Sequence, residues 1–580
     1  MGFKQRSQQV VFTNQARCRD CYRCVRICPV KAIVVKDGQA FIDEERCLSC
    51  GTCIRECPQG AKTYRMDLDK AEEIVSQPFA AVSIAPSFAG IFEPWQYTRL
   101  PAALRRLGFR YVAETAVGAS IVAAQMSEYL KCNPKQACIC TACPAVVTYV
   151  EKYRPDDIGC LMPIVSPMIA HAMHIKKHFN EKARVVFIGP CVAKKVEAER
   201  IQFAGLVDCV LTFEELEEWF KKKNIDLNTC EDSAFDEEPD DKSRLFPVEG
   251  GAMATAGLRT DMVDNSLLFV SGFGETQEAI DSLSAKKIQS VVEPLICPQG
   301  CLNGAGVKKA KGNLFERRAK LIAYAQGSVS NPALQETKDI TAAIFEKKEN
   351  GRRRDVTEED IRHILEKTGK VRTEDQLNCG ACGYLNCRDQ AIAVMQGMAE
   401  PEMCIPYMRR LAEQRSDRIM ATSPNGIIIL NQELNVLNYN PAFASMFHTN
   451  TSCIGKTIGQ FIDTDPFTQV ASGQTEMFDN IITQPTLKLT IRLIVYALKA
   501  EKQYVGIFIA IPSGRVSAER LAKIKEETIQ QARELYDHQI AMAKDFAVYL
   551  GEYTAKGEEL VQKIVDAVKE DASTKKKEPS

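Results

Sequence analysis

Neither sign of charge dominates this chain of 580 residues: 74 lysines and arginines stand against 75 aspartates and glutamates, a formal net charge of -1. Without a global basic field there is nothing to attract nucleic acid or anionic lipid, and neither is an expected partner. Also missing is an uninterrupted apolar run of about 18 residues, the least that spans a bilayer, so no membrane association is expected. The opening MGFKQRSQQVVFTNQ holds no apolar signal core. The expectation is a cytoplasmic chain. Disulfides are then the wrong use for cysteine, yet there are 23 cysteines. In a reducing compartment that number points to metal or redox chemistry.

With 45% hydrophobic residues the chain can bury more than one core, and its length suits about three to five domains. Residues 1–76 are cysteine-dense. Over residues 77–345 the strand-like runs FAAVSIAP, ARVVFIGP and DCVLTF each close on proline, glycine or a polar turn, with helical patterns between them. That alternation predicts a parallel sheet with helices. The acidic stretch EDSAFDEEPDDKSR at 231–244 predicts a solvated loop. KKENGRRRD near 347–355 marks a junction, after which residues 355–412 predict a small helical module holding four more cysteines. Residues 413–514 read as strand, turn, strand, helix and then a small mixed sheet. From Val516 to about Glu570 there is no proline, and Leu521, Ile524, Leu535, Met542, Phe546 and Leu550 recur at roughly helical spacing. One or two long helices are expected over 515–570, able to pair with a second copy as a homodimer, followed by a frayed tail at 571–580. The fold class is α/β multidomain.

Two runs near the N-terminus are near-copies. CRDCYRCVRICP supplies Cys18, Cys21, Cys24 and Cys28; CLSCGTCIRECP supplies Cys47, Cys50, Cys53 and Cys57, and each run ends in proline. The repeat resembles the bacterial two-cluster ferredoxin, where three closely spaced thiolates hold three irons of one 4Fe-4S cubane and the fourth cysteine ligates the other cluster. The resemblance implies that Cys18, Cys21, Cys24 and Cys57 hold one cluster, and Cys47, Cys50, Cys53 and Cys28 the second. A zinc site needs four ligands and has no use for the tandem copy.

Three separated segments carry another set. CICTACPAVVTYV supplies Cys143, VVFIGPCVAKKVEAER supplies Cys191, and VEPLICPQGCLNGAGV supplies Cys297 and Cys301. Over about residues 78–325 these resemble the three signature loops of the FeFe-hydrogenase catalytic domain. The resemblance implies that the four cysteines hold a 4Fe-4S cubane. It makes Cys301 the bridge to a diiron subcluster with CO, cyanide and a dithiolate bridge. It further implies that Lys194 hydrogen-bonds an iron-bound cyanide, with Glu197 as its partner.

The chain also departs from that family. Where productive members carry two adjacent cysteines, CTACP places Ala142, and a methyl group cannot shuttle a proton. Met126 and Tyr129 align with the two glutamates that feed the shuttle. Ser166, in IVSP, remains from the same relay, and Gly189 and Leu295 stand where methionines pack near the diiron site. Glu128 or Cys140 is the candidate for rescuing the relay. Electron wiring is kept and proton wiring is not, which predicts slow turnover, preserved H2 binding and inhibition by CO.

CGACGYLNC with EPEMCIP sets Cys379, Cys382, Cys387 and Cys404 apart by two, four and sixteen residues. The spacing resembles a small 4Fe-4S module of sensory proteins; an all-cysteine zinc site is the alternative. ATSPNGIIILNQELNVLNYNPAFASMF resembles the opening of a PAS domain, with Asn440 and Phe443 starting its first helix. Cys453 is expected to be a surface thiol, and His171, His174 and His178 an exposed helix face without a carboxylate partner. The whole order is similar to sensory FeFe-hydrogenases. It implies H2 and protons as ligands, a ferredoxin-type redox partner, hydrogenase maturation factors, and a phosphatase or kinase as output. The alternatives are a catalytic hydrogenase with an appended PAS domain, and an Fe-S scaffold, related to hydrogenase-like maturation factors, that lacks the diiron unit.

Overall fold

Each N-terminal cysteine run folds into one short helix, Arg23–Ile27 and Thr52–Glu56. Cys28 and Cys57 end these helices in extended backbone (ψ 117° and 113°), as the proline after each requires. Both helices are entered from left-handed backbone, at Tyr22 (φ 51°) and Gly51 (φ 75°). Only the second position needs glycine on steric grounds, because a Cβ there would lie 2.4 Å from the Ala305 side chain. Antiparallel pairs Val11–Thr13 with Lys62–Tyr64, and Ile33–Lys36 with Gln39–Ile42, complete this region.

These details belong to a computed structural model that describes residues 9–134, 136–258, 266–307, 312–327, 342–351, 355–449, 453–487, 489–499 and 502–511. The chain divides into two units, residues 1–411 and 412–580.

In the first unit, strand Ala80–Ile84 is buried throughout and pairs in parallel with Tyr111–Glu114 on one side and Arg184–Gly189 on the other. Cys209–Thr212 completes a four-stranded parallel sheet. Strands covered on both faces need no polar alternation, which is why these runs read as continuous apolar segments. A second parallel sheet sets Leu267–Ser271, Val291–Leu295 and Cys138–Ile139 side by side. Parallel pairing needs crossovers, which Leu100–Leu107, Ala116–Cys132 and Pro167–His178 help to supply. Binding sites in such folds form beyond the carboxyl ends of the strands. The segments with Cys143, Cys191 and Cys297 leave three such ends, after Cys138–Ile139, Arg184–Gly189 and Val291–Leu295.

The acidic stretch is tethered, contrary to the expected solvated loop. Asp236 accepts the Val112 amide (2.6 Å) and an Arg105 N–H (2.7 Å), while buried Arg244 donates to buried Glu114 at 2.6 Å. Glu237 reaches His174 Nε2 at 2.9 Å, so the histidine face does have a carboxylate partner. His171 and His174 are buried, and only His178 is exposed. Burial pushes His171 down to about 3, which keeps it neutral at pH 7. The hydrogen-bond partners of His171 and His174, Ser83 and Glu237, lie more than sixty residues away in sequence, where helical spacing carries no trace of them.

Cysteine-bearing loops precede helix Cys387–Met395, capped by Asn386, whose side chain accepts the Asp389 amide at 2.7 Å. Helix Ile405–Thr422 runs through residue 412, where the sequence suggested a boundary.

In the second unit five strands lie in the order Val436–Tyr439, Gly426–Leu430, Gln503–Ile511, Leu489–Leu498, Met477–Gln484. Every pairing there is antiparallel, which corrects the expected mixed sheet. The links 485–488 and 499–502 are too short for a parallel crossover. Phe443, Phe467 and Phe508 fill the core. Asn440 is buried and fixes the first helix: its Oδ1 accepts from Phe443 (2.9 Å) and Ile427 (2.8 Å), and its Nδ2 donates to Asn425 O (2.8 Å). Cys453 is 1% exposed in this core, so it is not the surface thiol expected. The expected long helices at 515–570 and the tail at 571–580 lie outside the described residues.

Candidate functional site

Cys143 is the N-cap residue of helix Pro144–Tyr153, and it packs with Cys191, Cys297 and Cys301 in one cluster of side chains. Burial pushes all four loop thiols up, Cys191 to about 11, and each adds to the effect on its neighbours: Cys143 on Cys191, both on Cys297, all three on Cys301. Three loops distant in sequence therefore deliver four sulfurs to one place. Buried thiolates this close repel one another unless cationic iron lies among them. Among the described residues no group of three or more His, Cys, Asp or Glu side chains is placed to hold a single metal ion. A cubane asks each thiolate to reach its own iron, and this donor set fits it.

Lys194 Nζ donates to Glu197 Oε2 at 2.7 Å and to the Ala142 carbonyl at 3.3 Å. Both side chains of the pair are nearly buried, 11% and 6% exposed. The ammonium is thereby held at the loop that carries Cys143, and it is an electrostatic neighbour of Cys143, Cys191 and Cys301. Ala142 brings only its methyl group. Ser166 is buried, its Oγ has no hydrogen-bond partner among the described residues, and it lines a small cavity with Glu197 and Arg200. Met126 is buried on helix Ala116–Cys132, Tyr129 is half-buried, and Glu128 is exposed. A Cβ at Gly189 would lie 2.6 Å from the Phe187 ring, so that ring fills the space a methionine there would use.

The N-terminal thiols sort into two groups. Cys18, Cys21 and Cys57 all raise Cys24, although burial is the larger cause; Cys47, Cys50 and Cys28 do the same to Cys53. Amide N–H groups of Ala32 and Ser49 donate to Cys28 Sγ (3.2 Å) and Cys47 Sγ (3.3 Å). Cys28, Cys47 and Cys50 pack in the same cluster of side chains as Cys143, Cys191, Cys297 and Cys301, and Arg55 donates to Asn303 O at 3.0 Å across this contact. On the opposite side Cys18, Cys24 and Cys28 share a cluster with Cys382. Cys379, Cys382, Cys387 and Cys404 line one small pocket.

Sequence reasoning missed Lys31. Its Nζ donates to Val25 O (2.9 Å), Arg26 O (3.0 Å) and Gly383 O (3.1 Å), joining the ferredoxin-like helix to the third cysteine module. Burial depresses this lysine, while Cys28, Asp389 and Cys382 pull its affinity for the proton back up. A cation two residues past Cys-Pro was the available signal. Glu400 was missed too; its carboxylate accepts the amides of Asp37 (2.6 Å) and Gly38 (3.0 Å).

Comparison with known families agrees with this arrangement. Residues 79–305 match the model of the iron-only hydrogenase large subunit, C-terminal domain. The chain carries an FeFe-hydrogenase-like domain. Residues 17–61 match a 4Fe-4S dicluster domain, 375–406 a putative Fe-S cluster family, and 414–481 a PAS domain. Among curated proteins, the NADP-reducing hydrogenase subunit HndD of Solidesulfovibrio fructosivorans is 25% identical over 365 residues, which is 53% of this chain and 59% of that one. The cytosolic Fe-S cluster assembly factor NAR1 of Vanderwaltozyma polyspora is 34% identical over 119 residues, 20% of this chain and 22% of that one. The chain thus spans under two thirds of either relative. A solved apo FeFe-hydrogenase HydA1 from Chlamydomonas reinhardtii aligns over 49% of this chain and 100% of that one, at 19% identity with a TM-score of 0.41. Among the described residues no helix is long and apolar enough to cross a membrane.

Proposed function

We propose that the first unit is an electron-wired, hydrogenase-derived sensor of H2 or redox state whose output passes to the PAS domain. Cys143, Cys191, Cys297 and Cys301 would hold a 4Fe-4S cubane, with Cys301 also bridging to a diiron subcluster. That group, when bound, supplies reversible H2 chemistry. The protein's own part is to bury it, to hold the Lys194 ammonium toward it with Glu197, and to carry electrons through the sixteen cluster cysteines. The single observation that carries the reading is the Lys194–Glu197 pair held against Ala142: the charged donor is kept at a place where the proton shuttle is a methyl group. Turnover is then slow, because proton transfer needs a donor within hydrogen-bond reach. A redox change in the clusters biases a partner-binding state of the PAS unit. The partners proposed are maturation factors, a ferredoxin-type donor, a second copy, and a phosphatase or kinase.

The test is infrared spectroscopy of the maturated protein under H2. CO and cyanide bands that shift with H2 at low turnover support the sensor, and fast viologen-driven H2 evolution supports a catalytic hydrogenase instead.

A second reading, a non-catalytic Fe-S scaffold without the diiron unit, is favoured by the likeness to cytosolic Fe-S cluster assembly factors such as NAR1. It predicts cubane signals with no CO or cyanide bands at all.

A further inference from the structure

An open cavity of about 540 Å³ lies where the N-terminal cysteine region, helix Pro144–Tyr153 and the third cysteine module meet, and it has no part in the reading above. Its volume is that of an ordinary small-molecule site, and a junction between separately folded parts is a usual place for one. Aromatic rings line it: Tyr149 and Tyr153 stack with centroids 5.8 Å apart, and Phe273 meets Tyr149 edge-on at 5.0 Å. Tyr384, 5% exposed, adds a fourth ring, with Lys31 Nζ 5.9 Å from its centroid. Three cations line the cavity, Lys31, Arg46 and Arg154, against one carboxylate, Asp389.

Arg46 narrows what the cavity can hold. The residue is 6% exposed, yet among the described residues no group accepts a hydrogen bond from its guanidinium, and its one ion-pair partner is Asp43 Oδ2, 3.4 Å from Nε. Five N–H donors are costly to bury without acceptors. A planar guanidinium matches phosphate oxygens, which it can hold in pairs. The Tyr153 hydroxyl donates to Arg46 O at 2.8 Å, tying the arginine's backbone to the aromatic wall. Burial and Cys382 push the Tyr384 phenol up and Arg46 opposes them, so the guanidinium lies near that hydroxyl. The other two cations are already engaged. Lys31 spends its three N–H groups on carbonyls, and Arg154 pairs with Asp281 and donates to the Tyr149 hydroxyl at 3.4 Å. They add positive field, while Arg46 has the donors to give. Half-buried Gln277 and Gln396 also line the cavity, and among the described residues their side-chain amides have no hydrogen-bond partner.

We propose that this cavity binds a nucleotide. A planar heteroaromatic ring lies against Tyr149, Tyr153 and Phe273, its phosphate takes the Arg46 donors, and the amides of Gln277 and Gln396 read the edge of the ring. Aromatic walls accept many ring systems, because each has a face to stack. Adenine and flavin nucleotides share this chemistry. Inorganic phosphate gains only the arginine half of the site. Pro29, Val30 and Lys31, which follow Cys28, and Tyr384, two residues past Cys382, all line the cavity, so an occupant braces the joint that Lys31 makes between the two modules. The site stands whether or not the four-cysteine pocket carries a diiron group.

The test is anaerobic calorimetric titration of the full chain carrying its 4Fe-4S clusters, with AMP, FMN and inorganic phosphate as separate probes. At least one of the two nucleotides should bind, about tenfold or more tighter than phosphate, and the pair shows which ring is preferred. Arg46→Met and Phe273→Ala should each weaken that binding by about tenfold, with the cluster absorption unchanged. Hydrogen exchange of the parent chain with the bound nucleotide should protect residues 273–277 and 384–396, a readout that needs no variant to fold. Absence of binding by both nucleotides at millimolar concentration overturns the proposal. So does an affinity unchanged in both variants, or protection confined to other parts of the chain. Phosphate that binds as tightly as either nucleotide overturns the assignment of a nucleotide.

Discussion

The electron-carrying and proton-carrying parts of the first unit are built on different principles. In the proposed reading, the N-terminal electron carriers are held by cysteines in two short repeated runs, each closed by proline, and their neighbours are supplied locally by the backbone, as in the Ala32 and Ser49 amides at Cys28 and Cys47. The relay positions that the resemblance implies are single side chains on separate elements: Ala142 on a loop, Met126 on a helix, Ser166 at a helix start. A cubane needs its complete thiolate set. A proton relay changes with one substitution, and the same fold can keep the first and rebuild the second.

The largest break in that comparison comes from the ligands. Cys191→Ala should remove one cubane's content of iron from the purified chain, read by iron quantitation and electron paramagnetic resonance, while the N-terminal signals persist. An unchanged iron content would mean that Cys191 binds no cluster. Next in size, Ala142→Cys returns a thiol to the shuttle position. In maturated protein it should raise H2 evolution by about a hundredfold without altering the cluster signals. An unchanged rate would locate the proton limit elsewhere in the relay. Glu197→Ala leaves the Lys194 ammonium buried and unpaired, a loss of about 3–5 kcal/mol. Chemical denaturation of the cluster-loaded chain should register it, and Glu197→Gln, which keeps a hydrogen-bond acceptor, should cost less.

Much of the electron side was legible because its signals are local. The spacing of Cys18 to Cys57 points to a two-cluster ferredoxin, in line with the 4Fe-4S dicluster domain matched over residues 17–61, and a proline after each run predicts where helices stop. The parallel sheet was legible from continuous apolar runs such as AVSI. What stayed hidden depends on partners far along the chain. The burial of His171 and His174 is set by Ser83 and Glu237, and the order of the 231–244 stretch by Val112, Glu114 and His174. Cys453 looked like a surface thiol because a lone cysteine in a polar stretch carries no periodicity, yet the PAS core encloses it. Gly189 is legible only with the fold in hand, since the ring that excludes a side chain there belongs to Phe187, two residues earlier on the same strand.

The smallest effect sharpens the comparison from the electron side. Lys31 lies between the ferredoxin-like thiols and the third module, with Cys28 and Cys382 both among its electrostatic neighbours. A buried cation favours the reduced, more negative state of a nearby cluster. Lys31→Met should therefore lower the midpoint potentials of the clusters held by Cys28 and Cys382, by an amount on the order of tens of millivolts. It also leaves the carbonyls of Val25, Arg26 and Gly383 without this donor, which should loosen the joint between the two regions. Lys31→Arg separates the two effects because it keeps the charge while changing the donor geometry. If redox titration gives the same potentials for the methionine and arginine variants, the lysine acts as a clip between modules. If only the methionine variant shifts, a single side chain tunes electron flow, as Ala142 limits protons in the proposed reading, and the contrast between the two sides becomes one of degree.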